Sequence, residues 1–353
     1  MSELKIWYDP QPREVGGSVI EFLQLLREPT CLLVPGRDGS RCRFVVTLLH
    51  GNEPSGVMAL HRWLSGEREA PAVDTYCVVM NVAAAIAEPL FSYRQLPGLR
   101  DLNRCFRPPY DDDPGACAGS LLQLIHRVQP EALIDIHNTS GMGPSFGVAV
   151  FFDQKHDALV SLFSERLIVT DLRLGALMEL SEREVPSVTI ECGGAGDAAA
   201  HALAYEGLLR FVGERDLFRP RQHDWPIEVL HNPVRLELGK GLRLRYGDVP
   251  RADADLCLRV DIEKFNFGEI ERDCALGWIS GPAFERLTVV DSGGRNLRDD
   301  YLRVEAGRLF PATRLKLFMI TANPAIALSD CLLYAVRWNQ APAAMPAPSG
   351  ASG

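Results

Sequence analysis

The sequence predicts an α/β fold, a sheet with helices on both sides followed by a smaller C-terminal β-rich domain. Three observations carry this. Apolar strand-like runs alternate with helical patterns through the first two-thirds of the 353 residues, the signature of a sheet layered with helices. Several of these runs are near-continuous in Val, Ile and Leu, as in strands covered on both faces. After about Leu217 the texture changes to short alternating runs separated by turn residues, which reads as a small, mainly β domain.

In chain order, the strand-like runs fall at residues 30–34, 43–49, 74–81, 133–137, 147–152 and 187–192. The helical patterns fall at 18–27, 56–66, 119–128, 156–170 and 198–212. The stretch FRPRQHDWPIEVLHNP at 218–233 is rich in Pro and polar residues and reads as a linker. Short strands then follow at 234–246, 256–260, 285–290, 303–310 and 325–337. The closing NQAPAAMPAPSGASG is low in complexity and is expected to be disordered. The expected domains are thus 1–217 and 230–338, with a tail at 339–353.

Composition narrows the function. The chain is 46% hydrophobic and 24% charged, ordinary for a globular protein, and no apolar run approaches a membrane span. A net charge of −9 argues against a nucleic-acid surface. The N-terminal MSELKIWYDPQPRE lacks a basic segment followed by an apolar one, so no secretory signal is expected. The nine cysteines are scattered, without a CxxC pair, and read as buried thiols of a cytoplasmic protein. The expected partner is a small molecule, with no nucleic acid and no membrane, and a homo-oligomer is compatible with the sequence.

The chemistry begins in TLLHGNEPSGV. The run at 44–49 ends on His50, Glu53 follows three residues later, and a helical pattern starts at once. A His and a Glu so placed can reach one metal ion, and Gly51, Asn52, Pro54 and Gly56 supply a tight turn. Catalytic zinc takes three ligands from His and carboxylate and keeps a position open. A third ligand is expected at another strand end, and His137 closes the run Leu133-Ile134-Asp135-Ile136. Asp135 points to the same side of that strand and can orient a neighbouring ring. A general base should be a nearby carboxylate that is not a ligand. Glu191 ends the run Val188-Thr189-Ile190, where an unpaired acid is expensive unless functional. In the acidic chain, SYRQLPGLRDLNRCFRP reverses sign, with Arg94, Arg100, Arg104 and Arg107 against Asp101. Arginine forks bind carboxylates in bidentate fashion, so this segment suits an anionic substrate.

Together these pieces resemble the succinylglutamate desuccinylase/aspartoacylase family, relatives of the zinc carboxypeptidases. The resemblance rests on HGNEPSG at 50–56, DLNRCF at 101–106, DIHNTSG at 135–141 and TIECGG at 189–194, in the family's order. It implies a zinc-carboxypeptidase-like mixed sheet flanked by helices. It also implies one zinc per chain held by His50, Glu53 and His137, with Glu191 as the base that activates water. Asn103 and Arg104 would hold a substrate carboxylate or carbonyl, Arg104 would also steady the oxyanion, and Asn138 and Thr139 would support the loop beside the substrate. Arg94 and Arg100 compete for a further arginine of the family, Tyr301 is the candidate for a tyrosine from the β domain, and Arg183 is another carboxylate contact to test. The implied activity is hydrolysis of the amide of a small anionic N-acyl amino acid. The alternatives are a metallocarboxypeptidase acting on peptides and a non-catalytic binder of small molecules on the same fold.

Overall fold

A computed structural model of the chain describes residues 4–139, 141–182, 184–219, 227–329 and 331–338. The chain separates into two compact units, Met1–Asn232 and Pro233–Gly353. The tail expected to be disordered, residues 220–226 of the proposed linker and Arg183 lie outside the described residues.

In the first unit the elements run β1 (Lys5–Tyr8), α1 (Val19–Leu26), β2 (Thr30–Val34), β3 (Asp38–Thr47), α2 (Ser55–Ser65), β4 (Val73–Val79), α3 (Val82–Ile86), α4 (Asp113–Val128), β5 (Ala132–Thr139), β6 (Phe146–Ala149), α5 (Gln154–Val160), β7 (Arg166–Val169), β8 (Ser187–Gly194), α6 (Ala198–Gly213) and β9 (Glu228–His231). The strands form one mixed sheet in the order β1-β2-β4-β3-β5-β8-β6-β7-β9. Its centre, β4-β3-β5-β8, is parallel, whereas β2 meets β4 and β6 meets β8 antiparallel.

Side-chain alternation explains why the central runs are apolar throughout. Val45, Ile134, Ile136, Val188 and Ile190 pack in one core with α1, α2 and α6. Phe44, Val46 and Leu133 pack in a second core with Ala118, Leu121 and Ile125 of α4. Both faces are therefore covered. The helices are cut cleanly by local chemistry. Ser18, Asp112, Asp153 and Asp197 each cap a helix N-terminus by accepting from its free backbone N–H groups.

The chain leaves β3 on one side for β4 and returns across it to β5. Ligands bind at such reversals, beyond the carboxyl ends of the parallel strands. At the opposite end of β3, the fully buried Arg43 is held by Glu131 at 2.5 Å and by the Phe211 carbonyl at 2.6 Å.

The second unit contains β10 (Val234–Leu238), β11 (Leu244–Tyr246), β12 (Leu256–Leu258), β13 (Glu269–Ile270), β14 (Gly277–Ile279), α7 (Gly281–Phe284), β15 (Leu287–Val290), α8 (Arg298–Tyr301), β16 (Leu302–Glu305), β17 (Arg308–Pro311), β18 (Leu315–Phe318), α9 (Pro324–Ser329) and β19 (Leu333–Arg337). Two five-stranded sheets, β13-β18-β19-β10-β15 and β11-β12-β14-β17-β16, share one apolar core among the described residues.

Several element boundaries differ from the sequence expectation. The 156–170 helix is instead the short α5 followed by strand β7. Its apolar spacing fits a helix as far as Val160, but Leu167-Ile168-Val169 finds ladder partners in β6 and β9, which override propensity. The linker contains β9 for the same reason. The 234–246 strand breaks into β10 and β11 around Gly239 and Gly241, the latter at φ +82°. The 303–310 strand is a hairpin, β16 to β17, turned by Ala306 and Gly307, both at positive φ. The 325–337 strand is α9 and then β19. No helix among the described residues is long and apolar enough to cross a membrane.

Candidate metal centre

The carboxyl ends of β3, β5 and β8 carry the site. After β3 the chain turns at Leu48, with φ +61°, and runs through His50 and Glu53 into α2. Two glycines make this turn fit. A Cβ on Gly51 would stand 2.7 Å from the Tyr93 carbonyl oxygen, and one on Gly56 would stand 2.1 Å from Thr47 Oγ1. Only glycine lets α2 lie this close to β3 and β5.

His50, Glu53 and His137 converge. One ligand atom from each lies within 4.8 Å of the others, and all three residues are buried. His50 Nδ1 is 2.8 Å from Glu53 Oε1, and His137 Nδ1 is 2.6 Å from Glu53 Oε2. The second nitrogen of each ring is also held: His50 Nε2 by Asp101 Oδ1 at 3.0 Å, and His137 Nε2 by Asp135 Oδ2 at 2.7 Å. Carboxylates in these positions fix ring orientation and raise the basicity of a coordinating imidazole.

Charge balance agrees with a cation site. Glu53, Asp101, Asp135 and Glu191 crowd around two histidines and the Arg94 guanidinium. Asp135 Oδ1 and Glu191 Oε2 are buried without a hydrogen-bond partner among the described residues. Burial alone would raise the Glu53 carboxyl, but the His50 and His137 rings hold it well below the usual range. Burial likewise opposes charge on His137, yet Asp135 and Glu53 lift its pKa well above the ordinary value. Asp101 is pushed up by burial and pulled far lower by His50 and Arg94. Such a set of buried acids and imidazoles favours a positive charge at its centre. Two imidazoles and one carboxylate are a donor set suited to zinc.

Glu191 lies opposite His137 in the parallel β5/β8 ladder, so both side chains stand on one face of the sheet. Burial raises its carboxyl to about 8, with Glu53 adding to the rise and His137 opposing it.

The anion-binding candidates separate. Arg94 clasps Asp101 Oδ2 through Nε at 3.1 Å and Nη2 at 2.8 Å, and its Nη1 is 3.7 Å from Glu53 Oε1. Arg104 donates to the Asn103 carbonyl at 2.8 Å, and no carboxylate pairs with it among the described residues. Arg100 is turned away onto Asp112, at 2.6 and 2.5 Å, and Arg107 pairs with Glu179 at 2.8 Å. Asn103 is buried, its Oδ1 accepting from Leu177 N at 3.0 Å and its Nδ2 3.5 Å from His137 Nε2.

The amide of Asn138 is spent on Ser55 and on the Gly193 carbonyl, and Thr139 Oγ1 donates to the Gly141 carbonyl at 2.7 Å. Tyr301 belongs to the second unit, buried in that unit's core with the Arg337 guanidinium 4.9 Å from its ring centroid. Sequence reasoning did not foresee Asp101 as the partner of His50. The one signal was its position as the only acid in the arginine-rich segment. Ser55 and His201, bonded to each other at 2.7 Å, gave no signal at all.

Comparison with known proteins bears on the family and the fold. Residues 44–210 match the model of the succinylglutamate desuccinylase/aspartoacylase catalytic domain. The solved succinylglutamate desuccinylase/aspartoacylase from Rhodobacter sphaeroides is 15% identical, with a TM-score of 0.52 over 83% of this chain and 83% of that one. The succinylglutamate desuccinylase from Chromobacterium violaceum is 14% identical, with a TM-score of 0.53 over 88% of this chain and 89% of that one. That from Vibrio cholerae is 13% identical, with a TM-score of 0.51 over 84% and 98%. At these identities the likeness is one of fold, and the fold is the carboxypeptidase-like one that the sequence resemblance implied. No curated protein matches the chain.

Proposed function

We propose that this chain, whose residues 44–210 belong to the succinylglutamate desuccinylase/aspartoacylase family of catalytic domains, hydrolyses the amide bond of a small anionic N-acyl amino acid with the help of one zinc ion. The observation that carries the proposal is the convergence of His50, Glu53 and His137, with a carboxyl oxygen of Glu191 that is buried and without a hydrogen-bond partner among the described residues on the neighbouring strand.

His50, Glu53 and His137 would hold the metal, with Asp101 and Asp135 orienting the two rings. Zinc, when bound, supplies a Lewis acid that acidifies water and polarises the amide carbonyl. The protein supplies the rest. Glu191 takes a proton from the attacking water and returns it to the leaving nitrogen, so it needs a pKa near neutrality. Its apolar strand surroundings raise the carboxyl in that direction.

Arg104, without a carboxylate partner among the described residues, is the cation this reading assigns to the substrate's carboxylate. Arg94 faces Glu53 while clasped by Asp101, and can contribute charge where the oxyanion develops. Asn103, tied to Leu177 N, holds the DLNR turn against the site, as Asn138 and Thr139 hold the loop after β5. The test is amine release from a panel of N-acyl amino acids, with and without chelator. Release that ignores the chelator would refute the proposal, as would no release from any acyl class.

A further inference from the structure

Ser55 opens α2 two residues after Glu53 and is fully buried. Its N–H donates to Asn138 Oδ1 at 3.0 Å, and its hydroxyl accepts from Asn138 Nδ2 at 2.7 Å. The same Nδ2 group donates to the Gly193 carbonyl at 2.9 Å, so the Asn138 amide is saturated. The Asn138 backbone N–H lies 3.3 Å from Glu53 Oε2. The start of α2 and the ends of β5 and β8 are thus tied at one buried knot next to Glu53. One proton is left over, that of the Ser55 hydroxyl. Its partner is His201 Nδ1 on α6, at 2.7 Å. The arrangement that satisfies every group has Ser55 donate to Nδ1 and the imidazole proton on Nε2.

We propose that His201 is a positioning residue for Glu53, acting from α6 through Ser55 and Asn138. This rests on the reading of His50, Glu53 and His137 as a metal centre. Without His201 the Ser55 proton has no acceptor in a buried site, and the hydroxyl must abandon its fixed orientation toward Asn138. Asn138 then loses one of the three bonds that hold its amide, and the backbone N–H it sets 3.3 Å from Glu53 Oε2 is held less firmly. Outer-shell partners of metal ligands typically carry a 10- to 100-fold effect on metal affinity.

The test is the zinc dissociation constant, measured by chelator competition on the full chain. His201→Phe removes the acceptor and is expected to weaken zinc about 10-fold. His201→Asn, whose side-chain oxygen can replace Nδ1, is expected to stay within about two-fold, a rescue that a purely space-filling role would not show. Should His201→Phe fail to fold, Ser55→Ala, which adds no bulk, carries the same expectation of weakening. Unchanged affinity in His201→Phe, or in Ser55→Ala, overturns this inference alone. Absence of zinc binding by the unaltered protein overturns the metal-centre reading, and this inference with it.

Discussion

His137 and Glu191 occupy one register position on the neighbouring parallel strands β5 and β8, facing the same side of the sheet. A candidate ligand and a candidate base are thereby set side by side by backbone hydrogen bonds, without either needing to touch the other. Glu191→Gln keeps the shape and removes the proton acceptor. Zinc content is expected to stay at the wild-type level while kcat falls about 10²- to 10⁴-fold. Retention of most activity would show that another group moves the proton.

The same carboxyl gives a pH signature in the metal-free protein. Its ordinary value is 4.5, and burial raises it to about 8 in the native chain. Between those values the native state keeps a proton that the unfolded state has released. The contribution is therefore full at low pH and is lost as pH rises through about 8. Chelator-treated wild type should lose melting temperature relative to Glu191→Gln as pH increases across this window. A difference between the two that stays constant from pH 5 to 9 would contradict the assignment.

Asp101 serves two masters, binding His50 Nε2 through one oxygen and Arg94 through the other. Asp135 serves His137 alone among the rings. Asp101→Asn and Asp135→Asn should each weaken zinc by about 10- to 100-fold. Only Asp101→Asn should also raise KM, because it frees Arg94 to shift. Equal KM values in the two variants, measured at saturating zinc, would break that link.

Arg104 is expected to act on substrate and not on metal. Arg104→Ala should lower kcat/KM by about 10- to 100-fold, the worth of a charged hydrogen bond, with zinc affinity intact. Arg104→Lys should recover little, since a point charge cannot grip a carboxylate in two places. Full recovery in Arg104→Lys would make the contact a purely Coulombic one.

The parts of this site that were legible in the sequence share a cause. His50, His137 and Glu191 each stand where a Val/Ile-rich run stops, and a polar residue there has few reasons other than function. Glu53 was legible through its spacing from His50. Asp101 was not, because its bond to His50 depends on how the 87–111 loop folds back, which no periodicity encodes. His201 was invisible for the same reason: its partner is 146 positions away. Arg43 read as the first residue of an apolar run, yet it is a buried ion pair with Glu131. In the fold, strand β7 was hidden behind a helix-like apolar spacing, and β9 behind its Pro-rich surroundings. Both are settled by pairing partners distant in sequence.

The central claim is that His50, Glu53 and His137 hold one zinc on which amide hydrolysis depends. Zinc titrated into chelator-treated protein, with amine release followed from the best N-acyl amino acid, tests it most directly. The account predicts that activity climbs linearly and breaks at about one zinc per chain, and that His137→Ala abolishes the climb. Full release from metal-free protein, or a titration unaffected by His137→Ala, would contradict it.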